Sequence, residues 1–175
     1  MKSRPKSPRS TDRIPMTPEE ITAHLRKFRD KQERIASEER ARFEREEAIF
    51  DANRATCRTT LEQVVEPLLR RLSGLLEEEG HTSLINATQE TGHTTERTKL
   101  RCVEYAASIE VEQEKGRLIL RVVANPQNMQ IGSLIGVPHG TCSSVFHVTD
   151  GPMREAGEVT NRGISDFMIS AFPLR

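Results

Sequence analysis

The chain has 175 residues, of which 35% are hydrophobic, 30% charged and only 4% aromatic, with no Trp. That is room for one packed domain plus an extension, and too little apolar matter to bury the whole length. The formal net charge is zero, three scattered cysteines give no disulfide framework, and no apolar run is long enough to cross a membrane.

The balance of charge is uneven along the chain. Residues 1–16 form a basic tail with five Lys or Arg (Lys2, Arg4, Lys6, Arg9, Arg13) and one acid, Asp12. With three prolines, three serines and nothing to bury, residues 1–15 are expected to be disordered. No apolar segment follows them, so no secretory signal is expected and the expected location is the cytoplasm.

Thr17-Pro18-Glu19-Glu20 opens a helix. Thr17 is the N-cap, Pro18 occupies the first position, and Glu20 completes a capping box. Neither Gly nor Pro follows before Arg58, and ten bases balance ten acids over residues 17–59. The pattern predicts a helical arm over 17–59, approaching about 60 Å in length. Pairs four apart (Asp30/Arg34, Arg34/Glu38, Glu38/Arg42, Arg40/Glu44 and Arg42/Glu46) lace its surface, each contributing about 0.2–0.5 kcal/mol. A thin apolar stripe runs through Ile21, Leu25, Phe28 and Ile35, then Ala36, Phe43, Phe50, Cys57 and Val64 at seven-residue steps. It is too narrow for a core but suits a coiled-coil-like seam. Gln32, Glu39, Glu46 and Asn53 interrupt it, so that seam should be weak and selective for register. Leu25, Phe28, Ile35, Phe43 and Phe50 are the interaction residues it implies.

Thr59 and Glu62 repeat the capping signal, so the helix is expected to break or bend there. Residues 60–79 read as a Leu-rich amphipathic helix, kinked by Pro67 and stopped by Gly80. Short strands are expected at 82–88, 102–112, 117–124 and 141–149, with a polar loop at 89–99. In the second of these, Val103, Tyr105, Ala107, Ile109 and Val111 alternate with Glu104, Ser108, Glu110 and Glu112. Three glycines and Pro138 make residues 130–140 a loop or a short irregular strand, and Asp150-Gly151-Pro152 a turn. A closing helix over 160–172 carries Ile164, Phe167, Met168, Ala171 and Phe172 on one face. The expected architecture is therefore α+β. It has a disordered tail (1–16), a long charged helix (17–59) and a head (60–175) with a small antiparallel sheet of three to four strands.

Chemistry-bearing motifs are scarce. No phosphate loop, dinucleotide fingerprint or HExxH is present. His139, Cys142 and His147 offer zinc-type ligands, or a thiol with a nearby base, but no CxxC completes a site. The sequence therefore implies no catalytic residue, cofactor or metal. It favours a non-catalytic interaction module whose arm associates with itself or with a protein partner, away from membranes. A nucleic-acid accessory role for the tail is the alternative, and an enzyme or metal site around His139, Cys142 and His147 comes after it.

Overall fold

The computed structural model describes residues 16–94, 101–113, 116–139 and 142–173. They form helix α1 (Pro18–Thr60), a π-helical turn (Leu61–Val65) and helix α2 (Glu66–Glu78). Five strands follow: β1 (Ser83–Thr94), β2 (Arg101–Gln113), β3 (Gly116–Asn125), β4 (Gln130–His139) and β5 (Cys142–Pro152). A 3-10 turn (Met153–Glu155) leads into helix α3 (Ala156–Ala171). The chain divides into two compact units, one ending at Glu46 and the other spanning Glu47–Arg175. The tail lies outside the described residues, save Met16.

The α+β class is as the sequence implied, but the sheet has five strands rather than three to four. They form an antiparallel meander in the order β1-β2-β3-β4-β5. Two segments account for the difference. Residues 130–139, read as loop or irregular strand, pair with β5 along their full length and with β3 over 130–136. Their pattern is period two: Ile131, Ser133 and Ile135 are buried, while Gly132 and Leu134 are only partly so. Residues 89–94, read as loop, extend β1, with Gln89 opposite Ala106 and Thr94 opposite Arg101. Gly151 and Pro152 also lie in β5, where a turn was expected.

The helix does not restart at Thr59. Thr60 has helical φ and ψ and makes no side-chain cap. Cys57, Leu61 and Val65, four apart and fully buried, carry one ridge through that point. The expected disturbance at Pro67 appears just upstream as the π turn, closed by Glu66 N–H donating to Leu61 O. Proline crowds the carbonyl four residues before it, and one wide turn accommodates the ring while the helix goes on. Gly80 ends α2 with φ +82°, the left-handed region. His81 N–H donates to Leu76 O (2.8 Å) and Gly80 N–H to Glu77 O (3.0 Å), satisfying two terminal carbonyls.

One face of the sheet carries the core. Val103, Tyr105, Ala107, Ile109 and Val111 of β2 join Leu118, Leu120, Val122 and Ala124 of β3, as the alternation requires. Helix α2 covers β1 and β2, and α3 covers β3, β4 and β5 on the same face. α3 begins four residues earlier than expected, adding buried Ala156 and Val159 to Phe167 and Ala171. Cys57 is buried among these groups, which raises its thiol pKa to about 11.

Edge strand β1 carries a bulge between Asn86 and Gln89. The Glu66 carboxylate fastens it, accepting from Thr88 N–H (2.8 Å) and Thr88 Oγ1 (2.7 Å). The Thr88 N–H bond is the main reason the Glu66 pKa lies below 4.5; the Thr88 hydroxyl and Arg70 add to it, and burial opposes it. A depressed carboxyl pKa stabilises the fold above the unfolded value, and that stability is lost as pH falls through the folded value. Glu66→Gln is therefore expected to cost about 1.5 kcal/mol at pH 7. Urea midpoints of the variant should also fall less steeply than those of the wild type between pH 5 and pH 3, values on the order of the carboxyl range. Parallel pH profiles would refute this role for Glu66.

Candidate interaction surface

The helical stretch Pro18–Glu46 starts as its sequence dictates. Thr17 N–H donates to Glu20 Oε2 (2.8 Å), and Glu20 N–H donates to Thr17 Oγ1 (3.3 Å). Each thus satisfies a donor the helix itself leaves open. Of the anticipated pairs, Arg34–Glu38 (3.5 Å) and Arg42–Glu46 (2.7 Å) form, and Arg29–Glu33 (3.9 Å) joins them. All six side chains are at least 60% exposed, so water and salt screen each pair and it contributes little to stability.

The apolar stripe has two fates. Leu25 (60%), Phe28 (56%) and Phe43 (65%) are exposed, and Ile21 is 46% exposed. Ile35 is half-buried. Phe50, four turns beyond Ile35, packs instead against the core of the Glu47–Arg175 unit. The five residues singled out from sequence therefore divide: four lie in the first unit, and Phe50 belongs to the second. Within Pro18–Glu46 no residue is fully buried.

Sequence reasoning missed a polar clamp inside the second unit. Arg54 Nε donates to the Tyr105 hydroxyl (3.1 Å), and one Arg54 terminal nitrogen donates to both Glu90 oxygens (3.0 and 3.1 Å). The Tyr105 hydroxyl donates in turn to Glu90 (2.9 Å). Those two partners, Tyr105 first, hold the Glu90 carboxyl below its ordinary pKa. The Arg58 guanidinium lies 5.6 Å from the centre of the Tyr105 ring. Asn53 Nδ2 donates to Pro126 O (3.0 Å). These contacts fasten the end of α1 to β1, β2 and the β3–β4 turn, a structural task. The only sequence hint was one tyrosine on an otherwise aliphatic strand face.

The sheet face away from the helices has an open depression of about 330 Å³ around Arg121, Ser108, Asn86 and Leu134. Small residues at Ala106 and Gly136 leave it room. Glu110 accepts from Asn86 (3.0 Å) and pairs with Arg117 (3.6 Å).

His139 and Cys142 face each other across the β4–β5 ladder, and His147 stands opposite Ile135. Their side chains lie outside the described set. Among the described residues, no group of three His, Cys, Asp or Glu side chains is placed to hold a metal ion.

No protein-family model, curated protein or solved structure matches the chain.

Proposed function

We propose that this protein is a non-catalytic interaction module, and that the stripe of Leu25, Phe28, Ile35 and Phe43 is its association surface. One observation carries the reading. Three large apolar side chains remain more than half exposed on a helical stretch whose other large side chains are nearly all charged. Apolar surface in a row draws a partner, because removing it from water stabilises a complex by about 25 cal/mol per Å². The core cluster of the second unit includes none of these four residues.

The test is the native size of the protein in extracts of its own cells. Leu25→Ala, Phe28→Ala and Phe43→Ala together keep helix propensity while removing the stripe. The wild type is expected to elute from a sizing column as an assembly, and the triple variant as a single chain. Elution of both as a single chain would overturn the reading.

A further inference from the structure

The stripe carries information about what covers it. We infer that its occupant is the same stretch of a second copy of this chain, running antiparallel, with the dyad between Ile35 and Ala36. This inference rests on the association surface proposed above.

The argument starts from the polar residues that interrupt the stripe. Over residues 25–46 its positions are Leu25, Phe28, Gln32, Ile35, Glu39, Phe43 and Glu46. Two parallel copies in register would place Glu39 against Glu39 and Glu46 against Glu46. Each layer would bring like carboxylates together in a desolvated seam, which is unfavourable in both layers. Reversing one copy about Ile35/Ala36 removes both conflicts. Phe28 then meets Phe43, Gln32 meets Glu39, and Ile35 meets Ala36. A glutamine amide can donate to the carboxylate it faces. Leu25 meets Glu46, whose carboxylate is drawn aside by Arg42 at 2.7 Å, leaving its methylene stem for the leucine.

The flanking charges favour the same direction. Residues 24–33 hold four Lys or Arg and two acids, while residues 38–47 hold three Arg and five acids. The reversal lays each of these segments on the other; a parallel pairing lays each on itself. The spacing within the stripe is three and four in alternation, except for a four between Glu39 and Phe43. That additional four-residue step is a stutter, which locally unwinds a supercoil and lets the 3.6-residue period of a straight helix persist. The seam spans 22 residues, about 33 Å of helix.

Cysteine pairing reads the orientation directly. Phe28→Cys and Phe43→Cys are made as separate full-length proteins and oxidised alone or after mixing. Linked peptides are then identified by mass spectrometry, so the native cysteines cause no confusion. Mixing is expected to give disulfides that join one variant to the other, at least ten times as abundant as those joining two copies of the same variant. Dominant like-with-like links would overturn the antiparallel inference while leaving self-association standing. Absence of links, with the purified wild type monomeric by sedimentation up to millimolar concentration, would overturn the second copy as occupant. The proposed association surface would survive that result if the extract still shows an assembly that the triple alanine variant loses.

Discussion

Phe167→Ala is expected to destabilise the protein by about 3–5 kcal/mol. Phe167 is fully buried on α3, whose neighbours are β3, β4 and β5. Truncation loses the transfer free energy of the ring and leaves a cavity beneath a helix that the close packing of its neighbours prevents from collapsing. Domains of this size are stable by roughly 5–15 kcal/mol, so the loss is a large fraction of the total. A fall in melting temperature on the order of 10–20 °C should accompany it. Ile169, two residues on and 69% exposed, is the internal comparison. Ile169→Ala should stay within about 0.5 kcal/mol of wild type. Equal effects at the two positions, measured by urea unfolding, would contradict the placement of α3 on the sheet.

The second large effect is expected at Gly163. A Cβ built there would stand 2.5 Å from both Cβ and Oγ of Ser133 on β4, and 3.4 Å from a Leu120 methyl. Helix propensity alone would reward replacing a mid-helix glycine, by about 1 kcal/mol for alanine. The steric term opposes it and wins, because Ser133 is 1% exposed and cannot swing out to solvent. Gly163→Val is accordingly expected to cost about 3 kcal/mol. Ser133→Gly should relieve part of that cost. The double variant is then more stable than the two single losses together imply, by about 1 kcal/mol or more. Strict additivity would show that helix and strand do not meet through these residues.

This contact also explains what the sequence conceals. The period-two spacing of Ile131, Ser133 and Ile135 is readable once a strand is considered. Its neighbours Gly132, Gly136 and Pro138 have poor strand propensity, and they argue locally for a loop. Ser133 is small because α3 presses on it at Gly163, a tertiary demand no short window expresses. Residues 89–94 were hidden for another reason. They sit on an edge strand and include no large apolar residue, so their polar composition resembles a loop although they pair with β2. The Thr59 capping signal failed because the buried ridge of Cys57, Leu61 and Val65 outweighs one potential cap. Strand β2 was legible throughout, since five alternating apolar residues meet a single buried face. On α1 the exposed apolar stripe could be read, but the separation of Phe50 from Phe43 could not. Both are phenylalanines seven residues apart on one helix, and only the sheet decides that one of them joins a core.

Cys57 turns that core into its own gauge. A thiol with no accessible surface, and with ionisation deferred to about pH 11, is shielded from alkylating reagents while the unit is closed. Its modification in buffer without denaturant therefore counts how often the end of α1 lifts from the sheet. Through this residue the protein carries a built-in clock for the opening of the core around it.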